Sequence, residues 1–342
     1  MQAIVQSAYG PAERVLALAE VERPEPAPDE VLVRVEAASV HADVWHVVTG
    51  RPLVMRLFGS GLRRPAPVIP GTDFAGVVEA VGSAVSRFRP GDEVFGESHR
   101  GMQWKNGGTF AEYVTAPEDV LAAKPKNVSF AEAAAVPTPG MIALFNLQMG
   151  KLLRAGAEVL VNGAAGAVGS IVVQMAKAEG ARVTAVDHTD KLDLLRSIGA
   201  DEVVDYTRTD CTEPGPKYDL IFDVASTLSL QGCKRVLAPE GIYVFIGHDH
   251  FGKATGAMLG SVPRALGLAF WSLFDKHLPR ADLSATIPKR QCMEQLAELL
   301  ARGALRPVVD RTLPLSEAPA ALRLLEGGQL RGRVVLTPQP SR

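Results

Sequence analysis

Between residues 158 and 187 the chain reads strand, glycine turn, helix, strand, and this run constrains the fold more than anything else in the 342-residue sequence. Glu158-Val-Leu-Val-Asn162 is a short apolar strand, residues 167 to 179 form a helix candidate, and Arg182-Val-Thr-Ala-Val186 is the next strand. Strands joined through a helix lie parallel, since parallel neighbours need a crossover that no tight hairpin supplies. The alternation continues with a helix from about Asp190 to Ser197 and strands near residues 202–205, 218–223 and 241–246. It predicts a parallel sheet with helices on both faces.

The turn itself, Asn162-Gly-Ala-Ala-Gly166-Ala-Val-Gly169, reads A-x-G-x-x-G, with Ala164 in the place of the first glycine and Gly163 before it. Gly166 lets backbone approach a pyrophosphate, and Gly169 permits close packing of helix on strand. The helix N-terminus offers unpaired amides to an anion, which makes Ala165, Ala167 and Val168 candidate contacts. A tight turn without a ligand is the bland alternative. Against it, the second strand ends at Asp187, 18 positions after Gly169 and close to the spacing of a ribose-binding acid. A carboxylate there favours NAD(H) and opposes a 2′-phosphate, although His188 and Lys191 could partly offset it, so NADP(H) stays admissible.

Upstream, residues 1 to about 125 read as strand-rich. Val31, Val33 and Val35 alternate with Leu32 and Arg34, and glycines at 71, 76, 82, 91 and 96 punctuate short apolar pieces. This suits a compact β barrel with long connections. Near the other end, a helix candidate at 291–302 is followed by Pro307-Val-Val-Asp-Arg311, a short helix that Ser316 would cap, and the strand Arg333–Thr337. The chain exceeds the length at which one core usually keeps growing, so two domains are expected.

Composition removes several function classes. With 36 Lys plus Arg against 38 Asp plus Glu, the net charge of -2 supplies no field to gather nucleic acid or anionic lipid. Cys211, Cys233 and Cys292 lack any short metal-binding or redox spacing. Residues 133–150 and 159–176 are uncharged, but Pro137 and Pro139 in the first and polar residues and glycines in the second argue against membrane spans. The N-terminus lacks a basic region followed by an apolar stretch, so a cytoplasmic location is expected. Small-molecule work is the class that remains.

Several blocks in order resemble the medium-chain dehydrogenase/reductase superfamily, in its zinc-independent quinone oxidoreductase-like branch. They are Gly71-Thr-Asp-Phe-Ala-Gly76-Val-Val-Glu-Ala-Val-Gly82, Gly91-Asp-Glu-Val-Phe-Gly96, Gly108-Thr-Phe-Ala-Glu-Tyr-Val114, the 158–187 unit, Gly199-Ala-Asp-Glu-Val-Val-Asp205 and Arg306-Pro-Val-Val-Asp-Arg311. The resemblance implies an α/β chain with a GroES-like β-barrel catalytic domain at 1–125 and 286–342. A Rossmann dinucleotide-binding domain at 126–285 would be inserted within it. It also implies a homodimer. Zinc-bearing relatives carry a cysteine near the place of His41 and a histidine near Thr72. Neither ligand is present here, so no metal is expected.

The segment Ser39-Val-His-Ala-Asp-Val-Trp-His46 resembles the family's active-site stretch, with His41 where Asn is usual and Val44 where Asp is expected. His41 could donate a proton or bind a carbonyl substrate, and packing is an equal alternative. Trp45 and Trp104 are candidate pocket walls with core packing as the alternative, while His46 and Tyr113 read as structural. Thr138 looks like part of the family's interdomain segment, where its hydroxyl could position the carboxamide or a substrate oxygen, and its flanking prolines make a turn-forming role equally credible. Gly247 ends another strand and could let backbone approach nicotinamide. The apolar run 265–274 reads as core, subunit interface or substrate-channel wall.

These readings converge on an NAD(P)H-dependent reductase of a quinone, enone or related activated carbonyl compound. The alternative is a catalytically weak nucleotide-binding regulatory or structural protein on the same fold.

Overall fold

The computed structural model describes residues 1–342 apart from 59–60, 102–104, 151–152, 248–250, 252–257, 281–287, 329 and 339–342, with the side chains of 58 and 148–150 also excluded. Two compact units share the chain. The first comprises Met1–Thr138, Pro288–Gly303 and Pro307–Arg342, and the second Pro139–Ile287 with Ala304–Arg306.

The first unit opens with β1 (Gln2–Gln6), the one-turn α1 (Ala12–Val15) and β2 (Leu16–Glu20), β1 and β2 pairing antiparallel. The 11-residue β3 (Glu30–Val40) follows, then α2 (Ala42–Thr49), β4 (Asp73–Val81), β5 (Glu93–Glu97), β6 (Tyr113–Pro117), β7 (Leu121–Ala123) and α3 (Phe130–Ala134). The alternation expected in β3 is only half present. Arg34 reaches solvent, but Leu32 is buried along with Val31, Val33 and Val35, and since consecutive side chains point to opposite faces, both faces of the sheet are covered at this end of the strand. A capping box starts α3: Ser129 accepts from the Glu132 amide while Glu132 accepts from that of Ser129.

Helix α4 (Pro137–Gly150) spans the division at Pro139, and the second unit is built on β8 (Glu158–Asn162), α5 (Ala167–Ala178), β9 (Arg182–Asp187), α6 (Leu192–Ser197), β10 (Glu202–Asp205), β11 (Tyr218–Asp223), α7 (Leu230–Val236) and β12 (Leu237–Phe245). Its five strands are parallel in the order β10-β9-β8-β11-β12. That is a Rossmann-like order, reversing direction at β8, where ligands of such sheets bind. Helix α5 packs on β8 and β9. The prolines of the 133–150 window do not break its helix, because they stand in the first turn of α4, where a missing N–H costs nothing. Among the described residues no helix is long and apolar enough to cross a membrane.

After α8 (Val262–Trp271) the chain returns through α9 (Lys289–Ala301), β13 (Val309–Pro314), α10 (Ala318–Glu326) and β14 (Arg333–Thr337). β14 pairs antiparallel with β3, setting Val334 opposite Val40, so the chain's end completes the sheet β13-β14-β3-β4-β5-β7. The fold is α/β, with a GroES-like unit and a Rossmann-like parallel sheet.

Three expectations need correction. Residues 126–138 pack with the first unit, α3 lying on β3, β4 and β5, so that unit extends past the boundary expected at 125. Residues 304–306 join the second, where the Gln174 side chain holds both backbone groups of Arg306. Ser316 caps nothing: it lies inside a 3-10 turn, and α10 begins without a side-chain cap on Glu317, its Pro supplying the entry. The core reading of 265–274 holds only in part, with Leu268 packing against the cluster of Leu160, Ile221 and Tyr243. No residue of α8 is buried, and Leu266 and Phe274 are 62% and 71% exposed.

Candidate functional site

Two groups of residues carry candidate chemistry, one in each unit. In the second, Gly163 has φ +77, and a side chain there would press on the Ala225 backbone at 3.0 Å. The sharp turn therefore needs glycine at 163, in the role the sequence pattern gave to the next position. A Cβ on Gly169 would lie 2.3 Å from the Gly163 carbonyl and 2.7 Å from the Ala164 Cα, which is the close helix-to-strand packing expected of it. At Gly166 only one atom is near, the Gly163 carbonyl oxygen at 3.2 Å. Gly166 is also the N-cap of α5 and brings no side chain of its own to cap that end. The first-turn amides of Ala167 and Val168 are thus left for a partner other than a side chain.

Asp187 ends β9 beside this loop and is 7% exposed. Its Oδ2 accepts from the Ala165 amide at 2.9 Å and its Oδ1 from the His188 amide at 2.8 Å. Ala165 is therefore committed to holding the acid. His188 caps the following turn, accepting from the Asp190 amide, and Lys191 lies 3.7 Å from Asp187 Oδ1. The sequence reading missed Tyr206, which is exposed, packs edge-on to the His188 ring at 6.1 Å and donates its amide to the Asp187 carbonyl. Its only sequence signal is an aromatic residue directly after a strand end.

At the ends of β8 and β11 a buried polar network was also missed. Asn162 donates to Asp223 Oδ1 at 2.7 Å, and the Tyr243 hydroxyl donates to Asp223 Oδ2 at 2.9 Å. Burial pushes the Asp223 carboxyl up from its ordinary value and the Tyr243 phenol likewise. Gly247, at φ +100, donates its amide to the Ser226 hydroxyl at 2.7 Å, and Ser226 itself sits at φ 58, a strained conformation for a residue with a side chain. The glycine backbone expected near nicotinamide is thus tied into this network.

In the first unit His41 directly follows the long strand β3, as the N-cap residue of α2, and is 2% exposed. Its Nε2 lies 2.8 Å from the Thr72 hydroxyl and its Nδ1 3.4 Å from Asp43. Thr72 donates to Asp73 at 3.2 Å. Thr138 donates its amide to Asp73 Oδ2 at 3.0 Å, and its hydroxyl lies 2.6 Å from Asp73 Oδ1 and 2.9 Å from Glu97 Oε1. The threonine forms no separate turn, being already inside α4, and its hydroxyl faces two carboxylates. Arg333 is buried nearby, and desolvation lowers its pKa to about 10, opposed by the charges of Asp73 and Asp43. Trp45 is buried in α2, edge-on to His46, whose Nδ1 contacts the Arg51 carbonyl at 2.6 Å. Tyr113 stacks under Arg23 at 4.0 Å. Trp104 lies outside the described residues.

The positions where zinc-bearing relatives keep ligands, His41 and Thr72, are thus hydrogen-bonded to each other. Among the described residues no group of three or more His, Cys, Asp or Glu could hold a metal ion.

A family model described as alcohol dehydrogenase GroES-like domain matches residues 27–126, and one described as zinc-binding dehydrogenase matches 198–336. The chain is 33% identical to the chloroplastic quinone-oxidoreductase homolog of Spinacia oleracea over 99% of its own length and 98% of the relative's. This chain belongs to the medium-chain dehydrogenase/reductase superfamily. It is 32% identical to the 2-methylene-furan-3-one reductase of Solanum lycopersicum, over 99% of this chain and 80% of that one. The structure of the quinone oxidoreductase from Coxiella burnetii superposes with a TM-score of 0.81 at 28% identity, covering 99% of both chains. Within the superfamily the chain falls in the zinc-independent, quinone-oxidoreductase-like branch, and it is an NAD(P)H-dependent oxidoreductase. The word zinc in the second family description does not carry over, since the ligand positions hold His41 and Thr72.

Near this site His99 makes a pH-dependent contribution to stability. Burial, with the charges of Lys289 and Lys105, lowers its pKa from 6.5 to about 4. Unfolding restores the ordinary value, so the unfolded chain binds more protons between pH 6.5 and 4, and stability falls as pH falls through that window. The loss amounts to roughly 3 kcal/mol at pH 4. Denaturant melts of the wild type and His99→Gln should converge as pH drops from 7 to 4; a constant gap across that range would count against the assignment.

Proposed function

We propose that this oxidoreductase reduces a quinone or an enone, with NADH as the favoured cofactor. The observation that carries the reading is the uncapped start of α5 at the glycine turn, with a fixed carboxylate at the end of β9. Ala167 and Val168 would hold the pyrophosphate on their amides, Gly166 would admit it, and Asp187 with His188, Lys191 and Tyr206 would flank the adenosine. Bound there, the cofactor supplies the hydride from nicotinamide C4. A quinone and a 2-methylene-furan-3-one, the compounds for which the spinach and tomato relatives are named, are both conjugated carbonyl compounds, which supports the substrate class.

Such a reduction leaves an oxyanion that needs a proton or a hydrogen bond. His41 serves here: an imidazole contacting Thr72 on one nitrogen and facing Asp43 on the other keeps a fixed orientation. Trp45 supports the helix that follows His41, and Thr138 acts through the carboxylates it binds. The backbone at Gly247 completes the cofactor's surroundings, and the working form is a homodimer by family likeness.

Following cofactor oxidation against a panel of quinones and enones tests the reading. Turnover with one of these classes is expected, and His41→Ala should lower kcat by about 100-fold, the scale of general acid catalysis, with cofactor affinity preserved. Equal kinetics in variant and wild type would return His41 to packing. Tight cofactor binding with no turnover across the panel would favour a nucleotide-binding protein without catalysis.

A further inference from the structure

The sheet order decides which strand ends the two halves of a bound dinucleotide can reach. Asp187 ends β9 and the glycine turn follows β8, while β11 and β12 lie on the other side of β8. With the adenosine beside Asp187 and the pyrophosphate on the α5 amides, as proposed above, the nicotinamide half runs over the turns that follow β11 and β12. All of these elements belong to the second unit.

The turn after β11 is bonded directly to the end of β8. The Asn162 carbonyl accepts from the amides of Val224 and Ala225 at 3.0 and 3.3 Å. Its side-chain amide donates to Asp223 at 2.7 Å and to the Thr227 hydroxyl at 3.0 Å. Inside this turn Ser226 stands at φ 58 and has no exposed surface, whereas Val224 and Ala225 are half-buried and Thr227 is exposed. A residue with a side chain is strained at such a φ, and the conformation persists only where the surroundings over-determine it.

Helix α8 supplies those surroundings. Arg264, in its first turn, donates to the carbonyls of Ser226 and Leu228 and to the Tyr243 hydroxyl, the last at 3.1 Å. Its guanidinium lies 4.5 Å from the centre of the Phe245 ring. Ser261, just before the helix, donates to the Gly247 carbonyl at 2.8 Å, and the Gly247 amide in turn donates to the Ser226 hydroxyl. A planar fork can meet acceptors on two turns and a phenol together, which a lysine ammonium on its flexible stem matches poorly.

We infer that Arg264 is a positioning residue for the nicotinamide half of the cofactor, holding the Ser226 turn in the strained shape which that half meets. Arg264 acts through the turn. When its side chain is removed the turn relaxes, the binding-ready shape becomes a minor population, and the apparent dissociation constant rises by the inverse of that fraction. The inference rests on the cofactor placement proposed above.

Direct titrations with NADH and with ADP, which carries only the adenosine and the pyrophosphate, separate the two halves. Arg264→Met should weaken NADH binding about 10-fold and leave ADP within about twofold. On a Ser226→Gly background the same substitution should cost about threefold or less relative to Ser226→Gly alone, since glycine takes a positive φ without strain. Amide exchange should quicken at 224–228 and 246–247 but not at 163–169. Arg264→Lys carries the test if Arg264→Met does not fold, with the same selective loss and the same rescue by Ser226→Gly expected. Unchanged NADH affinity would overturn the inference. So would ADP weakened in step with NADH, or an equal loss on both backgrounds, either of which reduces Arg264 to a contact of the fold. A wild type that binds NADH but not ADP would overturn the cofactor placement itself, and the inference with it.

Discussion

Gly166→Val is expected to weaken NADH binding by at least about 100-fold and to leave the melting temperature of the cofactor-free protein nearly unchanged. The backbone at 166 has φ -69, a conformation open to any residue, and an added Cβ meets only the Gly163 carbonyl oxygen at 3.2 Å. The fold therefore has room for a small outward adjustment, while the branched side chain fills the approach to the α5 amides that a pyrophosphate needs. Losing the anchor of a dinucleotide removes several charge-assisted hydrogen bonds, and about 2.8 kcal/mol of lost interaction gives the 100-fold. Gly169→Val provides the contrast. There the added atoms collide with backbone at 2.3 and 2.7 Å, so the expected loss is in folding. Calorimetry of both variants and a fluorescence titration of the first decide it. A folded Gly166→Val protein with wild-type affinity would remove this turn from the site.

The second large effect expected is in cofactor choice. The wild type should show a kcat/KM for NADH at least about tenfold above that for NADPH, because a 2′-phosphate beside Asp187 meets a like charge, a repulsion of about 1.4 kcal/mol or more. The carboxylate cannot easily turn away, since both its oxygens accept backbone amides, from Ala165 and His188. Lys191 lies 3.7 Å from it and tempers the repulsion without cancelling it. Asp187→Asn keeps an acceptor for Ala165 and removes the charge, so the ratio should fall about tenfold, with some loss of stability because its amide nitrogen cannot accept from His188. Asp187→Ser should move it in the same direction. Higher kcat/KM with NADPH in the wild type, unaffected by either substitution, would sink the argument.

How much was legible from the sequence follows from how local each signal is. Strands β8, β10, β11 and β14 fall where their apolar runs placed them, because a strand between turn residues announces itself within a few positions. Burial was less legible. Leu32 alternates with the valines of β3 and is buried as they are, since what covers the second face of the strand is not written in β3 itself. In 265–274 the apolar residues read as core, subunit interface or channel wall, and α8 packs Leu268 on the core while leaving Leu266, Phe270 and Trp271 exposed, because a helix buries only the face that some other element covers.

The sequence by itself determined the parallel-sheet unit, the glycine turn that opens α5 and the acid at the end of β9, since each depends on backbone geometry within one strand-turn-helix stretch. The tertiary structure alone decided what surrounds His41 and Thr138. Thr72 meets His41 across 31 positions, Glu97 meets Thr138 across 41, and Lys289 reaches Glu97 across 192. No local propensity encodes such pairings. They arise from strand register, which sets Asp73 opposite Glu97, and from the two points at which the chain leaves the first unit and comes back.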